Sequence, residues 1–227
     1  MPGFNTEIQA CIFNLEGVIA DTEKYHFQAW RQVGNQLGLS LPEEHLFSLK
    51  NLSGLATLEK ILDWGKVYMP EAEKLYWADR KNNLYHQLIA DLKPGEILPG
   101  VLIFLRHLRG MEIKTALCSS APHTTAILKS AQMEPFFEAV IDSGVFKKPK
   151  PDPQSFLLAA DALGVSPGAC LVFESDPQGI EAALLGGFSV AGVGDPVELC
   201  RAHFTIPSFA GFRLPALMKQ LFEQETS

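Results

Sequence analysis

The chain has 227 residues, 47% of them hydrophobic and 20% charged, with a formal net charge of -7. That is enough chain to bury a substantial core, and the composition leaves no room for a disordered tract. The acidic balance argues against a nucleic-acid partner, because phosphate backbones are bound by clustered Lys and Arg.

No apolar run approaches the roughly 18 residues of a membrane span, and the opening "MPGFNTEIQ" lacks the charged-then-apolar pattern of a secretory signal. The expectation is a cytoplasmic protein with no membrane partner. Cys11, Cys118, Cys170 and Cys200 are widely spaced and form no CxxC pair. Three of them lie in or beside apolar runs, which reads as buried, reduced thiols in preference to a disulfide scaffold or a zinc site.

The first element in the chain is a strand-like run, Ala10–Leu15, which enters the turn Asn14-Leu15-Glu16-Gly17. From Thr22 to Leu92 no strand pattern occurs. "TEKYHFQAWRQVGNQLG", "GLATLEKILDWG" and "EAEKLYWADRKNNLYHQLIADL" space their apolar residues by three and four, as helices do. Gly34 and Gly38 mark or weaken the end of the first of these helices.

From there strands and helices alternate. Helical patterns at Val101–Arg109, Thr124–Gln132, Gln154–Leu163 and Pro177–Leu185 separate strand-like runs at Lys114–Ser119, Ala139–Ile141, Ala169–Glu174 and Phe188–Val193. This order predicts right-handed βαβ units and a Rossmann-like α/β fold with a parallel sheet covered on both faces. The expected domains are an α/β core of residues 1–21 and 93–227 and an inserted helical domain of residues 22–92. Such an insertion would hang over the carboxyl ends of the strands, where open α/β sheets bind ligands, and act as a lid.

Four segments fall at the ends of successive strands. They are Asn14 to Gly17; "ALCSSAPH", with Ser119 and Ser120; "FKKPKPDPQSF", with Lys148 ahead of a Pro-x-Pro; and "CLVFESDPQGIEAALLGG", with Glu174, Ser175 and Asp176. A phosphate-handling site needs these residue types. Lysine and hydroxyls bind phosphoryl oxygens, helix N-termini add backbone N–H groups, and carboxylates hold a magnesium ion.

These segments resemble the haloacid dehalogenase superfamily, and within it the β-phosphoglucomutase-like branch. "FNLEGVIADTEKYHFQAW" stands where the family has F-D-x-D-G-V followed by Asp-Thr and the first cap helix. "KPKPDP" and "LVFESDPQGIEAA" match the third and fourth motifs. The resemblance covers nearly the whole chain, including the cap. It implies catalytic positions at Asn14 and Glu16, phosphate-binding positions at Ser119, Ser120 and Lys148, and metal positions at Asn14, Glu16, Glu174, Ser175 and Asp176. It also implies substrate recognition from the cap by Thr22, His26, Trp30, Lys50 and Lys81.

The departures from the family pattern decide the functional expectation. The family's nucleophilic Asp is Asn14 here, and an amide has no negative oxygen with which to attack phosphorus. The family's acid/base Asp is Glu16, one methylene longer, which changes where its proton can be delivered. Ser175 puts a hydroxyl where a magnesium-binding Asp belongs. Opposite charges about 4 Å apart are worth roughly 4 kcal/mol at an effective dielectric of about 20, so losing two such carboxylates weakens or abolishes Mg2+ binding. In the cap, Gly54 stands where an Arg would clamp a distal phosphate, and in the second motif of the core Ala121, Pro122 and His123 replace ligand-contacting residues.

Each candidate also has an ordinary role: Asn14 as a turn residue, Asp176 before Pro177 as a helix N-cap, His26 and Trp30 as packing, Lys50 and Lys81 as surface charges. Three functions follow. The chain is a catalytically silent member that binds a small phosphorylated metabolite or inorganic phosphate, an active Mg2+-dependent phosphatase or phosphoglucomutase with altered residues, or a non-catalytic scaffold.

Overall fold

The structure is a computed structural model that describes residues 8–42, 45, 49, 54–90, 92–120 and 124–212. The chain divides into two compact units, Met1–Asp21 with Leu92–Ser227, and Thr22–Asp91.

The first unit is built on a six-stranded sheet. Its strands are β1 (Ala10–Asn14), β2 (Lys114–Cys118), β3 (Ala139–Ile141), β4 (Cys170–Glu174), β5 (Ser189–Val193) and β6 (Phe204–Ile206). The order is β3-β2-β1-β4-β5-β6 and every pairing is parallel. All five residues of β1, β4 and β5 are buried, which is why "ACIFN" and "CLVFE" read as near-continuous apolar runs and do not alternate. Among the described residues this unit holds four helices: α4 (Val101–Gly110), α5 (Thr124–Ser130), α6 (Gln154–Leu163) and α7 (Pro177–Leu185).

β6 is an addition to the strands expected from the sequence. Of its three residues, "FTI", Phe204 and Thr205 are partly buried and Ile206 is buried, and three residues are too few to show a pattern. The helix expected to run to Gln132 stops at Ser130, and Gln132 takes a left-handed φ of 58°.

The winding of the sheet positions the site. The chain starts at the centre in β1, moves outward through β2 and β3, then crosses back to β4 on the other side of β1. The direction reverses between β1 and β4, and a crevice opens at the carboxyl ends of strands at such a point. Phe13 is paired in register with Phe173, and their rings stack with centroids 4.9 Å apart on the face covered by Phe104 of α4. The opposite face carries Ile12 and Val172, which pack with Phe156 of α6 and Ile180 of α7. Side chains alternate along a strand, so Asn14 and Glu174, each two residues on, share that second face.

Among the described residues the second unit holds α1 (Glu23–Gln36), α2 (Gly54–Gly65) and α3 (Glu71–Ile89), with both α1 and α2 packed against α3. Gly34 lies inside the last turn of α1, where a Cβ would come 2.8 Å from Leu41 Cδ1, so its role is close approach and not helix ending. Gly38, at φ 73°, follows the helix end. Among the described residues no helix is long and apolar enough to cross a membrane. All four cysteines are free; Cys11, Cys118 and Cys170 are buried and Cys200 is exposed.

Candidate active site

The carboxyl ends of β1, β2 and β4 bring Asn14, Glu16, Ser119, Glu174 and Ser175 together. Asn14 is 5% exposed and both ends of its amide are engaged. Nδ2 donates to the Glu16 carbonyl oxygen at 2.9 Å, and Oδ1 accepts from Lys150 Nζ at 3.4 Å. These partners assign the amide orientation. The Ser175 hydroxyl donates to the same Glu16 carbonyl at 2.8 Å, which ties the β1 turn to the β4 turn. Gly17, at φ 70°, is needed at this junction because a Cβ there would lie 2.5 Å from Ser175 Oγ.

Glu174 is wholly buried, and its carboxylate is fully engaged. Oε2 accepts from the backbone N–H of Ser175 at 2.8 Å and of Asp176 at 3.1 Å, at the positive N-terminal end of α7. Oε1 forms a short ion pair with Lys150 Nζ. The ammonium also sits 5.3 Å from the ring centre of Phe156. Burial alone would lower the Lys150 pKa. The Glu174 charge, its hydrogen bond and the Glu16 charge outweigh burial and hold the ammonium above its ordinary value. The Glu16 carboxyl is pushed up, chiefly by burial and further by the Glu174 charge, against the opposing pull of its hydrogen bonds and of Lys150. Ser119, 2% exposed, donates to Glu16 Oε1 at 3.4 Å.

The remaining expected residues are placed differently. Lys148, expected at the phosphate position, is a surface residue. Its side chain is 67% exposed, with Nζ 3.5 Å from Asp152 Oδ2. The lysine that reaches the site is Lys150, which the sequence reading did not select. Lys148 and Lys150 stand two apart around a proline, and apolar patterning does not say which of the two turns inward. A usable signal existed: the motif carries an additional lysine in a chain whose other motifs have given up two acids. Ser120 is exposed. Asp176 is the N-cap of α7, its Oδ1 accepting from Gln178 N–H at 2.8 Å, and the residue is exposed.

In the helical unit, Thr22 is buried just ahead of α1, and its carbonyl accepts from Tyr25 N–H at 3.0 Å. Three other expected residues form one cluster. Lys81 Nζ lies 2.7 Å from His26 Nδ1 and sits over the rings of Trp30 and Tyr85, 5.6 and 5.2 Å from their centres, while the His26 ring stacks on Tyr85 at 3.8 Å. Lys81, read as an ordinary surface charge when taken without the family, is 5% exposed. Burial pushes its ammonium down to about 8. Burial, then the charges of Lys81 and His86, push His26 down to about 3. His26 is therefore neutral, and its Nδ1 accepts from the ammonium. Gly54 is the exposed first residue of α2. Lys50, Ala121, Pro122 and His123 lie outside the described residues.

The chain matches the description haloacid dehalogenase-like hydrolase over residues 8–187. It is 34% identical over 215 residues to a β-phosphoglucomutase of Bacillus subtilis, covering 94% of this chain and 95% of that one. It is 28% identical over 185 residues to a phosphorylated carbohydrates phosphatase of Thermotoga maritima, covering 79% and 82%. Among solved structures, a β-phosphoglucomutase of Clostridium difficile superposes with a TM-score of 0.74 at 32% identity, covering 97% of this chain and 100% of that one.

Phosphatases and phosphomutases of this kind generally use Mg2+. The residues at the corresponding place here do not fit that ion as they are arranged. Asn14 Oδ1 and Glu174 Oε1 both face the Lys150 ammonium, Glu174 Oε2 is held by two backbone N–H groups, and the Ser175 hydroxyl donates its proton to a carbonyl. Among the described residues, no group of three His, Cys, Asp or Glu side chains is set to hold a metal.

Proposed function

The chain belongs to the haloacid dehalogenase-like hydrolase family, and from that premise we propose that it binds a small phosphorylated metabolite of the sugar-phosphate class, or inorganic phosphate, without forming an aspartyl phosphate. The observation that carries this reading is the state of Asn14. Its oxygen is uncharged and directed at an ammonium, and its nitrogen donates to a backbone carbonyl. An uncharged amide oxygen so engaged, beside a nitrogen whose lone pair is delocalised, is a poor nucleophile toward phosphorus.

What remains is suited to holding an anion. Lys150 supplies positive charge at the carboxyl ends of the strands, and the Ser119 hydroxyl lies beside Glu16. The names of the relatives, a phosphoglucomutase and a carbohydrate phosphatase, support a phosphorylated sugar as ligand. Weakened magnesium dependence is part of the same proposal, because Asn14 and Ser175 remove two carboxylates from the metal position.

A second reading is favoured by Glu16. A carboxyl whose pKa is raised by burial holds its proton more firmly than a solvated one, which suits a general acid, so an altered phosphatase or mutase would use it in that role. Acid-quenched intact mass spectrometry after exposure to acetyl phosphate or a sugar bisphosphate separates the two. The silent reading expects no added phosphoryl group. A phosphoryl group mapped to the 14–16 turn sinks it. Calorimetric titration with inorganic phosphate and sugar phosphates is expected to give saturable binding, and none at all would remove the anion-binding reading.

A further inference from the structure

The strongest unassigned feature of the molecule is a lysine in the wrong place. The third motif of the family carries its lysine at the position of Lys148, yet Lys148 lies on the surface and Lys150 enters the site. Its ammonium touches Asn14 Oδ1 and Glu174 Oε1, the side chains of two positions to which the family resemblance gives magnesium.

We propose that Lys150 is a built-in counter-cation that stands where a divalent ion would bridge Asn14 and Glu174, so that the site takes a phosphoryl or sulfate group without added metal and rejects divalent cations. The proposal rests on the anion-binding reading above and deepens it.

Three observations converge. The first is geometric. Lys150 is anchored along its length, by the Phe156 ring beneath the ammonium and by two oxygens ahead of it, and its side chain is only 21% exposed. The second is electrostatic. Two carboxylates are lost at positions 14 and 175, while the cation falls from two positive charges to one, so the site ends one charge more positive, in the direction that favours an anion. The one acid left fully buried, Glu174, is neutralised by Lys150. A divalent ion added to this arrangement would face a cation at close range and find its oxygens already occupied.

The third is donor arithmetic. An ammonium has three N–H donors and no acceptor. Two reach Asn14 and Glu174, which leaves the third for a ligand oxygen. A tethered cation does not leave with the ligand and is not removed by a chelator. The change at position 14 also becomes intelligible. A carboxylate there would share Lys150 with Glu174, whereas an amide offers a neutral oxygen to it.

The test compares divalent-ion uptake by the intact chain and three variants, read by calorimetry with Mg2+ and by the electron paramagnetic resonance of Mn2+, neither of which requires turnover. The wild type is expected to show no saturable uptake below about 10 mM. Lys150→Met, which keeps the stem over Phe156 and frees Glu174, is expected to gain at least about 10-fold in affinity. Asn14→Asp with Ser175→Asp is expected to gain far less while Lys150 is intact than when Lys150→Ala is added. Sub-millimolar uptake by the wild type, or equal affinity of the double and triple variants, overturns the proposal. The wild-type arm stands alone should Lys150→Met fail to fold.

A second arm uses inorganic phosphate. Wild-type affinity is expected to be the same in EDTA and in Mg2+, and to fall at least about 10-fold in Lys150→Met without metal. Phosphate binding that appears only with Mg2+ also overturns the proposal. If phosphate binds under neither condition, the anion-binding reading fails while the divalent-ion comparison still reports on Lys150, so the two failures are distinct.

Discussion

Each unit of this protein buries a lysine, and the two are handled in opposite ways. Lys150 meets a carboxylate, and its ammonium is held above the ordinary value. Lys81 meets a neutral imidazole and two aromatic faces, and its ammonium falls to about 8. Desolvation acts on both. The counter-charge is what differs, and it makes one a permanent cation and the other a group that can give up its proton close to neutral pH. A fixed charge suits an element that replaces a metal.

Removing the charge of Glu174 would turn Lys150 into a second Lys81. Glu174→Gln keeps the shape of the side chain and removes its charge, leaving a buried ammonium without its partner. Breaking a buried pair from one side costs about 3–5 kcal/mol, so urea unfolding is expected to show a loss of that size. Lys150 would then titrate below its ordinary range, as Lys81 does. A loss under about 1 kcal/mol would mean that the pair is solvated and that the contrast between the two lysines is illusory.

The reverse experiment sharpens the comparison through pH. The folded pKa of Lys81 lies near 8 and its unfolded value near 10.5. Between those values the unfolded chain carries a proton that the folded one lacks, so stability rises as pH increases from about 8 to 10.5, by about 3 kcal/mol from this group. Lys81→Met is expected to abolish that rise and to leave stability at pH 7 unchanged or higher. Chemical denaturation across this range in the two proteins checks it. An identical pH slope in wild type and variant would show that Lys81 is as solvated as a surface lysine.

The sheet was legible because its central strands are apolar on both faces, and the inserted helices because their apolar residues recur every three and four positions. β6 was not, since three residues are too few to carry a period. The site was legible as far as residue types at strand ends reveal it, which covers Asn14, Glu16, Ser119, Glu174 and Ser175. Lys150 was not legible as a site residue. Which of two lysines turns inward depends on the path of the chain around Pro149 and on the aromatic floor that Phe156 of α6 provides, and that floor exists only after the sheet and α6 have assembled. Lys81 was hidden for a similar reason: its place on α3 is buried only because α1 brings His26 and Trp30 over it.

The smallest expected effect comes from beneath Glu174. Gly179 lies in the first turns of α7, and a Cβ built there falls inside the van der Waals envelope of the Glu174 carboxylate. The glycine is therefore what allows a carboxylate to lie flat on the helix start and face Lys150. In a helix, Gly→Ala ordinarily stabilises by up to about 1 kcal/mol. Here Gly179→Ala is expected to reverse the sign and cost about 1–2 kcal/mol, because the carboxylate must lift from the Ser175 and Asp176 amides. The Lys150 ion pair lengthens with it, so the variant also moves Lys150 toward the condition of Lys81 without removing any charge. Thermal unfolding together with the pH dependence of stability near the Lys150 titration is the measurement. A stabilising Gly179→Ala would show that Glu174 is free to move aside, and the rigid placement of its counter-cation would lose its support.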